Sequence, residues 1–131
     1  MAIGYQAGEY NQGQYTVAIG NQAGQTSQGG SAIAIGLNAG ETNQETLAMA
    51  IGPQAGQSTQ SQGAVAIGFG AGRDTQGSYA IAIGSVAGAI SQGQNTVAIG
   101  RNAGQYNQNQ YAVAIGNKAG FLGQTQDALG S

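Results

Sequence analysis

Large and small apolar residues alternate at period two in a short segment that returns every sixteen residues. Thr16-Val17-Ala18-Ile19 is followed by Ala32-Ile33-Ala34-Ile35, Ala48-Met49-Ala50-Ile51, Ala64-Val65-Ala66-Ile67, Ala80-Ile81-Ala82-Ile83, Thr96-Val97-Ala98-Ile99 and Ala112-Val113-Ala114-Ile115. Alternation with β-branched residues predicts a strand, not a helix. Ala-Ile-Gly begins at Ala2, Ala18, Ala34, Ala50, Ala66, Ala82, Ala98 and Ala114, and an Ala-Gly pair closes each copy without a slip. So strict a period predicts an all-β chain, a parallel β-solenoid of eight 16-residue coils. It makes residues 1–131 a single repeat domain with coils starting at residues 2, 18, 34, 50, 66, 82, 98 and 114. At about 4.8 Å per coil the stack is roughly 38 Å long.

Each column of the stacked copies has a physical reading. By the ordinary rule that the largest apolar side chains fill the core, the Val/Ile/Met and Ile columns are expected inside the coil. The Ala/Thr columns are then expected outside, as a flat strip of small residues of about 450 Å² suited to self-association. The Gly after every Ile implies a turn that needs positive φ or leaves no room for a Cβ. The next two positions vary freely and hold Pro53, as solvent-facing turn residues do. One column never changes: Gln12, Gln28, Gln44, Gln60, Gln76, Gln92, Gln108 and Gln124. An amide in a solenoid corner can bond to the amides above and below it, so the column is expected to be a structural ladder.

Composition narrows the function classes. A Gly/Gln/Asn/Ser-rich chain of low charge reads as disordered, but disorder gives no reason to keep apolar residues in register. Only 6% of residues are charged and the net charge is −2, which offers no basic surface for nucleic acid. The absence of His and Cys removes disulfides, thiol nucleophiles and nearly all zinc chemistry. No apolar run reaches the ~20 residues of a membrane-spanning helix, and no signal peptide follows Met1. No catalytic residue, cofactor or metal site is expected. Glu9 and Glu41 share a column but lie two coils apart with Gln25 between them, and read as solvated charges. Gly68-Phe69-Gly70-Ala71-Gly72 lacks the Lys-Ser/Thr of a phosphate loop. Tyr15, Tyr79 and Tyr111 share one column and form the one candidate row for stacking on a glycan.

Val-Ala-Ile-Gly followed by two free residues and Ala resembles the head repeats of trimeric autotransporter adhesins. It is also similar to the Ala-Ile-Gly-type repeats of phage and viral tail fibres. Thr16-Val17-Ala18-Ile19-Gly20 and Gly4-Tyr5-Gln6-Ala7 carry the likeness, which covers essentially the whole chain. Three departures stand out: a period of sixteen where fourteen is usual, the Gly after Ala, and the constant Gln. The adhesin resemblance implies a left-handed parallel β-roll assembled as a homotrimer, against the general right-handedness of parallel crossovers.

These readings point to a non-enzymatic structural fibre or filament module on an extracellular, virion or appendage surface, whose main partner is itself. Two alternatives remain: a glycan- or receptor-binding adhesin head, and an ice-binding solenoid. The last is suggested by the small polar column Asn11, Ser27, Asn43, Thr59, Thr75, Ser91 and Asn107. Leu129 keeps the Val/Ile column in a ninth strand, so Ala128-Leu129 is expected to meet Ala2-Ile3 of a following chain in an end-to-end filament. Phe121 and Leu122 would pack at that joint or form a cap.

Overall fold

The computed structural model describes residues 1–122 and the backbone of 129–130. The strands run in order as β1 (Ala2–Ile3), β2 (Tyr10–Gln12), β3 (Val17–Ile19), β4 (Thr26–Gln28), β5 (Ile33–Ile35), β6 (Thr42–Gln44), β7 (Met49–Ile51) and β8 (Thr59–Gln60). They continue as β9 (Val65–Ile67), β10 (Thr75–Gln76), β11 (Ile81–Ile83), β12 (Ile90–Gln92), β13 (Val97–Ile99), β14 (Tyr106–Gln108), β15 (Val113–Ile115) and β16 (Leu129–Gly130). The odd-numbered strands and β16 stack into one parallel sheet, the front, and β2 to β14 into a second, the return. Pairing joins like columns one repeat apart: Val65 to Ile81, Ala66 to Ala82 and Ile67 to Ile83 in front, Gln60 to Gln76 in the return sheet. The molecule is a parallel β-solenoid.

Two turns of one kind join the sheets in each coil. Leaving the front strand, the Ala23 N–H donates to the Gly20 carbonyl at 3.3 Å; entering the next, the Ala32 N–H donates to Gly29 at 3.2 Å. The third residue of each turn takes positive φ whatever its side chain: Gln22 at 56° in the first, Tyr15 at 62°, Leu47 at 64° and Tyr79 at 59° in the second. The glycine that starts the first turn is required twice over. Gly68 sits at φ 122°, and a Cβ on it would lie 2.9 Å from the backbone of Gly84 in the coil above. Gly68→Ala is therefore expected to destabilise by about 1–3 kcal/mol, read as a lowered melting temperature.

The interior corrects the expected sense of the alternation. The buried apolar residues are alanines: Ala18, Ala34, Ala50, Ala66, Ala82, Ala98 and Ala114 from the front strands, Ala32, Ala48, Ala64, Ala80 and Ala112 two positions before them, Ala23, Ala39, Ala55, Ala71, Ala87, Ala103 and Ala119 from the first turn, and Ala89. Val17, Ile19 and their successors point outward and remain partly exposed. The cause is space. A side chain on Gly56 would begin 2.7 Å from the Gln60 amide oxygen and 3.3 Å from the Ala50 methyl. No room for a branched side chain exists between sheets that close together, and close packing sends the large residues to the other face.

Candidate functional site

Two features stand out once the coil is built: a row of glutamines sealed inside it and an apolar face left outside it. Gln28, Gln44, Gln60, Gln76, Gln92 and Gln108 are buried and are the largest fully buried side chains among the described residues, followed by Thr96. Each extends from the return sheet across the interior. Gln60 Nε2 donates to the carbonyls of Met49 at 2.6 Å and Ala64 at 3.2 Å, so one amide grips the front strand of its own coil and the start of the next. Gln28 and Gln44 repeat the pattern on Val17 and Ala32, and on Ile33 and Ala48. Along the stack, Gln44 donates to Gln60 and Gln60 to Gln76, both at 3.1 Å. Gln12 is less buried and donates instead to Tyr10 and Gly24. Gln124 lies outside the described residues. The Gly of the Ala-Gly pairs at Gly24, Gly40, Gly56, Gly72, Gly88 and Gly104 makes room for this row, since a Cβ on Gly24 would sit 2.7 Å from the Gln28 oxygen.

The outer face of the front sheet carries two large apolar side chains per strand, flanked by both turns. Past the strand, Leu37, Pro53 and Phe69 are exposed in successive coils; before it, Tyr15, Leu47, Tyr79 and Tyr111 are exposed. The three tyrosines predicted as a glycan row share their column but are not neighbours. Ser31, Leu47 and Gly63 separate Tyr15 from Tyr79, and Asn95 separates Tyr79 from Tyr111, so the spacings are about 19 and 10 Å. Tyr79 instead lies over Gly63, where a Cβ would come within 2.7 Å of its ring.

The small polar column is not a flat array. Asn11, Ser27, Asn43, Ser91 and Asn107 adopt positive φ, while Thr59 and Thr75 do not. A β-branched residue resists the left-handed region that Asn tolerates, so the return strand changes path where Thr occurs. An ice-like lattice match needs regular spacing along the whole column, and this one is interrupted. Beside it runs a shallow groove of about 770 Å³ lined by residues that include Asn11, Ser27, Asn43 and Glu45.

The carboxylates are tied up by amides. Glu9 accepts from Gln25 at 2.9 Å, and Glu41 from Gln57 at 2.8 Å and Asn38 at 2.9 Å. Glu9 also accepts the hydrogen bond of the Tyr10 hydroxyl and repels its phenolate, which raises that phenol above its ordinary range. Arg73 and Asp74 form a partly exposed pair at 3.4 Å. Among the described residues no three of His, Cys, Asp and Glu cluster as a metal site would require. Phe121 packs edge-on against Tyr106 with ring centroids 5.4 Å apart, whereas Leu122 is exposed.

Strain marks one turn. Val86 holds φ 60° in a column where other coils place Gln, Asn, Gly or Lys. A β-branched residue there is strained by about 1–2 kcal/mol. Val86→Asn is expected to recover about 1 kcal/mol, visible as a higher urea midpoint.

The fold defines a class, that of parallel β-solenoid repeat proteins whose coils enclose alanine and glutamine and carry Val, Ile and Met on the outer face. Residues 76–103, which hold Ile81-Ala82-Ile83-Gly84 and Val97-Ala98-Ile99-Gly100, match the YadA head domain repeat in two copies. These two repeats are similar to that adhesin-head type. No curated protein and no solved structure matches the chain.

Proposed function

We propose that the protein is a non-enzymatic, adhesin-like surface module whose solenoids associate side by side as a homotrimer. The observation that carries this reading is the inversion of the coil: methyls and amides inside, Val, Ile and Met outside. An alanine-lined interior buries little apolar area for each ordered residue. Covering the outer face with sister chains supplies the burial a single coil lacks, at about 1.5–3 kcal/mol for each large side chain removed from water. The repeat type supports three-fold symmetry and a cell-surface setting. Among the described residues no helix is long and apolar enough to cross a membrane. In this reading the glutamine row is structural, each amide holding both sheets, and the rod serves as a rigid spacer in a fibre or filament.

The dispersed tyrosines and the interrupted polar column offer less for glycan or ice binding than the continuous apolar sheet offers for self-association. The end-on contact expected of Ala128-Leu129 is not part of the proposal, because Ala128 lies outside the described residues. Light scattering tests the reading: a mass three times the 12.9 kDa of one chain is expected at micromolar concentration, and a monodisperse monomer would refute it.

A further inference from the structure

The turn that leaves the front strand carries a pattern of its own. Counting coils from Ala2, its leading column places Leu37, Pro53 and Phe69 in coils three, four and five. Leu37 is 50% exposed, Phe69 is 54% exposed, and Pro53 between them is exposed as well. Small polar residues bracket the run, Asn21 in coil two and Ser85 in coil six. Beyond these stand Tyr5 in coil one and Arg101 in coil seven, both exposed. The column is matched about coil four.

Charge is ordered about the same level. Glu9 and Glu41 open the return strand in coils one and three, Arg73 takes that column in coil five, and Arg101 stands in coil seven. Coils two, four and six carry no charge along this edge. Both columns belong to one edge: Asn38, beside Leu37, donates to Glu41 at 2.9 Å, and Asn102, beside Arg101, donates to Gln105 at 2.8 Å. Amides, not cations, hold Glu9 and Glu41. Arg73 shares its guanidinium with Asp74 at 3.4 Å and has donors to spare. Lys118 in coil eight lies at the basic end, whereas Glu45 belongs to the opposite turn and the Met1 ammonium bonds to Thr16 beside the front strand.

An edge that inverts about one level fits a second copy of itself turned end for end. We infer that two copies pair antiparallel along this edge, about a two-fold axis at the level of Pro53 and Gln57. The axis sets Leu37 against Phe69 of the second copy and Pro53 against its own counterpart, an apolar centre. It sets Glu41 against Arg73, and both Tyr5 and Glu9 against Arg101, a charged rim in which a guanidinium can lie over a phenol ring. Each unlike pair occurs twice, as in any isologous interface. A slip of one coil separates Leu37 from Phe69 and sets Glu41, Arg73 and Arg101 against uncharged levels, leaving at most Glu9 against Lys118. A parallel pair at equal height sets acid on acid. Seven coils at about 4.8 Å make the edge roughly 34 Å long but narrow, so the contact is weak and depends on salt. It leaves the Val/Ile sheet free and does not rest on the lateral association.

Light scattering at about 0.01 M and about 1 M salt, where the Debye length is about 30 and 3 Å, separates the two associations. The mass in high salt reports the lateral assembly alone. In low salt it is expected to rise at least twofold. Glu9→Lys with Glu41→Lys makes the edge basic throughout, Arg73→Glu with Arg101→Glu makes it acidic, and neither variant should gain mass in low salt. An equimolar mixture of the two should regain it, which also shows that both are folded. Orientation is read by a short bis-maleimide, since the chain has no cysteine of its own. Gln57→Cys faces its counterpart across the axis and should give a covalent dimer in low salt only. Gln25→Cys, the equivalent amide in coil two, faces coil six and should give none. The inference is overturned if the unaltered chain gains no mass in low salt, if a reversal variant gains as much, or if the mixture gains none. Cross-linking of Gln25→Cys as readily as Gln57→Cys, or of neither, overturns the antiparallel pairing. A monomer mass in high salt overturns only the lateral association.

Discussion

Replacing Ile67 and Ile83 with glutamate is expected to leave the solenoid folded and abolish its lateral assembly. Both side chains sit on the outer side of strands whose inner side is formed by the buried Ala66 and Ala82. Each substitution removes about 1.5–3 kcal/mol of apolar burial and places a carboxylate where an apolar neighbour should be. In a three-fold ring every change occurs three times, so the loss exceeds what a ring of this size can absorb. Light scattering should report the monomer mass while circular dichroism retains its β signal. Ala66→Glu with Ala82→Glu, aimed at the other side of the same strands, should act differently. A carboxylate has no room in an interior where even a Cβ on Gly72 would lie 2.6 Å from the Gln76 amide oxygen, and that variant should lose its β signal altogether. Assembly surviving in the isoleucine variant would end the account.

The second large effect concerns the amide row. Gln60→Leu keeps the bulk of the side chain and removes every polar contact it makes. Gln76 loses the donor to its oxygen, Gln44 loses the acceptor for its amide, and the carbonyls of Met49 and Ala64 lose one donor. A buried polar group left unpaired costs about 1–3 kcal/mol, and the Gln76 oxygen is left without its donor. The Gln44 amide keeps Ile33 and Ala48, and the Ala64 carbonyl keeps the Met49 N–H. A loss of about 1–3 kcal/mol is expected, measured as a lower urea midpoint with the slope unchanged. An unchanged midpoint would mean that the row is not structural and would return it to consideration as a ligand-facing surface.

Much of this was legible in the repeat. Ala-Ile-Gly at an unbroken spacing specified parallel strands in register, and the glycine after each Ile announced positive φ or a close approach, of which Gly68 shows both. The sense of the strand was misread because the usual rule assigns the largest apolar residues to the core. Variation along the columns gives no clue: the inward Ala18 column and the outward Ile19 column are both constant, while the inward Thr16/Ala32 column and the outward Val17/Ile33/Met49 column both vary. Nor could the columns disclose that Tyr15, Leu47, Tyr79 and Val86 occupy left-handed turn positions that favour Gly or Asn. Stacking on both neighbouring coils holds those residues there against their local preference. The break at Thr59 and Thr75 was readable in principle, since only the β-branched members of that column stay extended.

The central claim is that the Val/Ile face lies outside the coil and inside the assembly. Thiol labelling of Ile67→Cys tests it directly, once in the otherwise unchanged chain and once with Ile83→Glu added to separate the chains. The account expects slow labelling in the assembly and fast labelling in the folded, separated chain. Slow labelling in both would place the residue inside its own coil, fast labelling in both would leave the face uncovered, and either result would contradict the account.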